Sequence, residues 1–208
     1  MKYKAFRERV QGLPVFASSL IGTLGPNSGN LKLQLSLWKK KGLVIPLRKG
    51  LYVLNPADRR MEPSPFYLAN QMMIPSYVSL ESALAYYGLV PEFVAALTSV
   101  TVRKTCRFEN SFGLFTYQHV KPKAFTGFER IRESEKVPFL MAVPEKAVAD
   151  FLYLNLSRFG PSDPSIFEAS YRFQNCGNLD PKKLKMYAEK FQNQKLLAIV
   201  ELFTKEVI

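Results

Sequence analysis

The chain has 208 residues, 47% of them hydrophobic and 13% aromatic, which is enough apolar material for one large core or two small ones and excludes general disorder. Twenty-nine Lys and Arg against 17 Asp and Glu leave a formal charge of +12, which favours a polyanionic partner. The excess is uneven: residues 1–55 hold ten basic side chains against Glu8 alone, a net +9, whereas the rest of the chain holds 19 basic against 16 acidic. A nucleic-acid-binding segment joined to an ordinary globular domain has this asymmetry.

Helical periodicity begins at once, with Phe6 and Val10 sharing a face with Tyr3 and Leu13 before Pro14 interrupts it. Phe16, Leu20 and Leu24, at steps of four, predict a second short helix. Residues 25–29, Gly-Pro-Asn-Ser-Gly, form a turn, and residues 31–41 form a third helix closed by Gly42 in the left-handed conformation. At about 100° per residue, Leu31, Leu35 and Trp38 make one apolar stripe. Lys32, Ser36, Lys39 and Lys40 occupy a separate polar and basic face. Leu33 and Leu37 fall on a third side, expected to pack on the second domain or on the first helix.

After Gly42, two β-rich runs flank the basic turn Arg48-Lys49-Gly50, a hairpin in which Pro46 marks an edge strand. Three helices and a hairpin are the order of a winged helix-turn-helix, so residues 1–55 are expected to be a DNA-binding domain. The third helix would enter the major groove and the hairpin tip would meet the backbone. The expected contacts are Ser28 and Asn30 at the start of that helix, Lys32, Ser36 and Lys39 in the groove, Lys40 near phosphate, and Arg48 and Lys49 on the wing. The competing reading of Lys39-Lys40-Lys41 is a solvated helix end favoured by the helix dipole, and winged helices also dock proteins. The DNA reading rests on the basic face, the basic tip and the near absence of acid in one small domain.

Residues 56–65 contain three prolines and read as a linker, in which Arg59 and Arg60 either touch phosphate or do nothing. Residues 66–208 read as a mixed α/β domain, making the whole chain α+β. Helices are expected over 66–73 and 79–88, the second capped and ending on Gly88. Short β-rich pieces at 97–105, 113–120, 128–132 and 138–143 predict a small sheet. Pro144 then opens a helix running to about Asn155, and about three helices follow, one of them starting at Asp180-Pro181.

Nothing in the sequence assembles a catalytic constellation, so the protein is expected not to be an enzyme. It lacks a phosphate-cradling glycine loop, a Gly-x-Ser-x-Gly elbow and an Asp-x-Asp pair. Cys106 and Cys176 lie 70 residues apart and away from the single histidine, His119, so no metal site or cofactor is expected; both read as buried reduced thiols. His119 lies in an alternating strand and reads as structural or surface-exposed. Glu145 and Asp150, five apart, share no helix face well, and Glu145 reads as helix-start stabilisation. The amino terminus has no apolar run that would serve as a signal peptide, and the longest apolar stretches, such as residues 196–200, fall far short of a membrane span; no membrane association and a cytoplasmic location are expected.

Three segments resemble one family. Residues 35–44 (LSLWKKKGLV) with 48–53 (RKGLYV) resemble the winged-helix start of AbiEi-type antitoxins of abortive-infection systems. Residues 77–91 (YVSLESALAYYGLVP) are similar to the signature opening their second domain, and residues 143–152 (VPEKAVADFL) to a later helix. The first block is common to many winged helices; the other two are more specific, and the likeness fades after about residue 155. It implies a bacterial regulator that binds double-stranded promoter repeats and represses its own operon, with a second domain that counteracts a cognate nucleotidyltransferase toxin. Ser79, Glu81, Glu145 and Asp150 fall on the motifs and read first as caps and packing determinants. Two alternatives stay open: a plain regulator without a toxin, and an interaction module whose winged helix docks a protein. A diverged nucleotidyltransferase is opposed by the missing carboxylate pair.

Overall fold

A computed structural model describes residues 1–23, 28–91, 95–133, 137–160, 167 and 171–208; for 21–23 and 28–32 it describes the backbone alone. The chain is mixed α+β, and its described residues form two sheets. Helix α1 spans Tyr3–Val10, strand β1 Phe16–Ala17, α2 Ser18–Thr23 and α3 Ser28–Lys40, followed by β2 Val44–Arg48 and β3 Leu51–Leu54. Strands β1, β3 and β2 form an antiparallel sheet in that order, which puts Pro46 on an edge strand, where its missing N–H costs nothing.

Two expectations fail in this region. Phe16 does not begin a helix: with Ala17 it pairs with Tyr52 and Leu51 on β3, and the helix starts only at Ser18. A two-residue strand has no periodicity to read, and the pairing that creates it comes from residues 35 positions away. Leu13 lies past the end of α1, which closes at Val10, and is exposed rather than packed beside Phe6 and Val10.

Residues 56–65 are fastened down rather than free. Asp58 accepts from the Tyr3 hydroxyl at 2.7 Å and pairs with Arg7 at 3.0 Å, and the Arg60 N–H donates to the Gln11 carbonyl at 2.9 Å. Arg59 does not reach out for phosphate. It pairs with Glu62, donates to the Leu54 carbonyl at 3.3 Å and lies over the Phe112 ring.

The larger sheet has six strands in the order β6-β7-β5-β4-β9-β8: β4 Ser76–Val78, β5 Ala96–Thr101, β6 Cys106–Asn110, β7 Gly113–His119, β8 Phe128–Ile131 and β9 Phe139–Ala142. Strand β4 is central and all its residues are buried, so it shows no alternation that would announce it. Helices α4 (Pro65–Met72), α5 (Glu81–Tyr86) and α6 (Pro144–Leu154) pack with this sheet, and α7 (Pro181–Glu189) and α8 (Gln194–Val207) pack on α6. Ser64 caps α4 from its hydroxyl, Asp180 caps α7 and Asn193 caps α8, while Pro144 takes the first turn of α6. Of the region after α6, residues 161–166 and 168–170 lie outside the described residues; the described part holds α7, α8 and a 3-10 turn at Cys176–Asn178.

The buried apolar residues among those described divide into two clusters. Phe6, Val10, Phe16, Leu35, Trp38, Val44 and Leu54 form the smaller. The larger runs through the six-stranded sheet and its helices, and it also takes in Leu47, Leu51 and Val53. Strand β3 therefore buries Leu54 on one face and Leu51 and Val53 on the other, each face in a different core. The edge of β2 is covered as well: Asn110, at the end of β6, donates to the Leu47 carbonyl at 3.0 Å.

Candidate nucleic-acid interface

Helix α3 is seated by aromatic contacts. Trp38 stacks on Phe6 at 4.8 Å and meets the edge of Tyr3 at 5.5 Å; Phe6 meets Phe16, which stacks on Tyr52 of β3. The carboxyl end closes as the sequence predicts. Gly42 has φ +68°, its N–H returns to the Lys39 carbonyl, and the Leu43 N–H returns to that of Trp38, the two bonds of a Schellman cap. Anchored at Leu35 and Trp38, α3 turns Leu33, Ser36, Leu37, Lys39 and Lys40 to solvent.

The basic residues singled out by sequence are therefore only partly brought together. Lys39 lies beside the hairpin, its Nζ 6.0 Å from the Tyr52 ring centroid, and shares with Arg48 and Lys49 a groove of about 470 Å³ whose other wall includes Glu109 and Asn110. Lys49 is exposed at the turn. Arg48 is half-buried, donates from Nη1 to the Lys49 carbonyl at 3.1 Å and has a buried Nε without a hydrogen-bond partner. Ser36 and Lys40 lie farther round α3 and are exposed. The side chains of Ser28, Asn30 and Lys32 lie outside the described residues. Leu33 and Leu37 pack neither on α1 nor on the larger half; they are 63% and 48% exposed.

A second polar centre lies deep in the larger half. Asp150 of α6 is fully buried; it pairs with the equally buried Lys146 one turn earlier, and accepts from the Ser79 hydroxyl at 2.7 Å and the Tyr77 hydroxyl at 3.0 Å. The residues at 77–91 and 143–152 thus meet through Tyr77, Ser79 and Asp150. Burial pushes the Asp150 carboxyl above its usual value and the Lys146 amine below its own, desolvation outweighing their attraction. The lysine Nζ lies 4.7 Å from the Phe191 ring centroid and 5.7 Å from that of Tyr77. Gly127, at φ +73°, closes over it: a Cβ there would fall 2.5 Å from Tyr187 Cε1 and 3.0 Å from Lys146 Cγ.

Lys146 is buried despite its charge. The signal was its spacing, since a lysine and an aspartate four apart on one helix face each other, as Glu145 and Asp150 do not. Glu145 is also buried and accepts from the Asp180 N–H at 3.2 Å, which fixes the start of α7 in addition to sitting in the first turn of α6.

Ser79 is not the cap of α5. It precedes Leu80, whose φ of 58° and ψ of −143° are strained for a non-glycine residue, at a cost of about 1–3 kcal/mol. Thr98 holds that geometry: its hydroxyl donates to the Ser79 carbonyl and accepts from the Ser82 N–H, while its own N–H reaches the Ser82 hydroxyl at 2.8 Å. His119 is exposed at the end of β7, with Nδ1 3.0 Å from the Arg103 carbonyl. Cys176 is buried as expected, but Cys106 on β6 is only half-buried.

No family model matches the chain, and neither does any curated protein. No described helix is long and apolar enough to cross a membrane.

Proposed function

We propose that the protein is a DNA-binding transcriptional regulator of the AbiEi antitoxin kind, with residues 1–55 acting as a winged helix-turn-helix. One observation carries the reading: Lys39, Arg48 and Lys49 line one groove beside a helix whose outer face stays open to solvent. A duplex laid along α3 would put Ser36 against base edges, Lys40 near phosphate and Lys49 against the flanking backbone, with Ser28, Asn30 and Lys32 toward the start of the helix. The order helix, short strand, two helices and hairpin is compatible with this architecture. The larger half is assigned, on the resemblance of its two motifs, to counteracting a nucleotidyltransferase toxin encoded alongside; it is not assigned a reaction of its own.

The test uses the full chain and the DNA upstream of its own gene, titrated at several salt concentrations by fluorescence anisotropy. Affinity should fall steeply with salt, with a logarithmic slope of about −0.9 per phosphate neutralised. Changing Lys39, Lys40 and Lys49 together to Glu should abolish binding at physiological salt. Undiminished affinity in that variant, or a wild-type affinity indifferent to salt, refutes the assignment.

A further inference from the structure

The outer face of α3 carries a feature that phosphate binding does not use. Leu33 and Leu37 are one turn apart, as are Ser36 and Lys40, and the two pairs lie side by side at i,i+3 spacing, giving a four-cornered patch of two apolar side chains, one hydroxyl and one cation. The leucines are among the most exposed large apolar side chains of the described residues. Exposed lysines follow them toward the carboxyl end, Lys40 at i,i+3 from Leu37 and Lys41 just past the end of the helix. These charges disfavour a second copy as the occupant, because pairing two such faces would bring the lysine runs together. The occupant must be negatively charged around its edge and offer small apolar groups at its centre.

Duplex DNA does both. Its phosphates flank a major groove in which the one apolar group standing out from the base edges is the thymine 5-methyl. Resting on the DNA-binding reading above and extending it, we propose that Leu33 and Leu37 read thymine methyl groups in the major groove, so that the preferred site has thymines at two positions about one helical turn of α3 apart. Ser36, beside them, meets an adjacent base edge, and Lys40 meets the backbone. The leucines then supply sequence preference, while the lysines supply affinity that does not depend on sequence.

The test starts from duplexes that the full chain retains out of a random 30-base-pair pool. In a retained duplex every thymine is replaced by deoxyuridine, which removes only the methyl group. Burying one methyl is worth about fourfold in affinity, so two give a loss of roughly tenfold or more for the wild type. The Leu33→Ala/Leu37→Ala variant, whose changes lie on an exposed helix face that alanine suits, should bind the thymine duplex as weakly as the wild type binds the deoxyuridine duplex, and should not distinguish the two. Equal wild-type affinity for both duplexes, with steep salt dependence kept, overturns the methyl reading and leaves the DNA-binding reading standing. Continued discrimination by the double alanine variant overturns it too. Failure to retain any duplex overturns both.

Discussion

Replacing Lys146 by methionine tests the polar centre of the larger half. Methionine keeps most of the side-chain volume and its contact with Phe191, but takes away the positive charge that pairs with Asp150. Asp150 is then a fully buried carboxylate left with two hydroxyl donors, Ser79 and Tyr77. Breaking a buried ion pair from one side costs about 3–5 kcal/mol. For a chain of this length each kcal/mol lowers Tm by about 2–4 °C, so Lys146→Met should melt roughly 6–20 °C below the wild type. Adding Asp150→Asn should restore part of the loss, because a neutral amide oxygen still accepts from both hydroxyls and no charge is stranded. The pH dependence has a definite sign. Burial already raises Asp150, and the lysine opposes that rise. With the lysine gone, the folded carboxyl titrates still higher above its unfolded value. A carboxyl raised on folding favours the folded state at low pH and loses that contribution as pH climbs through the folded value. Lys146→Met should therefore be partly rescued between neutral pH and pH 5. Circular dichroism melts at both pH values decide the matter: a single variant within 2 °C of the wild type, or strictly additive losses in the double variant, refutes the coupling.

Two further outcomes are expected. Asp58 is held below the ordinary carboxylate value by the Tyr3 hydroxyl and then by Arg7, so its contribution is complete above about pH 3.8 and is lost as pH falls through the lower folded value. Asp58→Asn should remove that acid sensitivity, at a cost of about 1 kcal/mol at neutral pH in urea titrations; an unchanged acid-unfolding curve would count against it. Burial pushes the Cys176 thiol to about 11, so in the native protein it should stay unreactive toward a disulfide reagent at pH 8, while half-buried Cys106 reacts first. Rapid modification of both thiols without denaturant would contradict this.

Local chemistry made much of the fold legible. Gly42 closing α3, Pro144 opening α6 and Asp180 capping α7 are all set within a few residues of themselves, and each stands where the sequence puts it. What escaped was made by distant pairing. Strand β1 exists because β3 lies beside it, and β4 is too short and too completely buried to alternate. Strand β6 begins where the expected β5 run stops, at a bend the chain does not advertise. The candidate interface divides in the same way. Periodicity oriented α3 through Leu35 and Trp38, but whether Leu33 and Leu37 were covered depended on where the larger half sits, and it sits against the hairpin instead. The spacing of Lys146 and Asp150 announces a pair on one helix face, but not that the pair is buried, and Tyr77 carries no such signal until its partner is in place.

The double burial of β3 also bears on how the two halves act together. A hairpin that walls both cores works as a rigid hub, because rotating α3 against the six-stranded sheet would require Leu47, Leu51 and Val53 to leave their packing. Cutting the chain after residue 55 would uncover the apolar face of that hairpin, where Leu47, Leu51 and Val53 pack in the larger core. A duplex seated on α3 would hold the larger half at a fixed bearing. Two chains seated one DNA turn apart, about 34 Å, would then present their larger halves on the same side of the duplex.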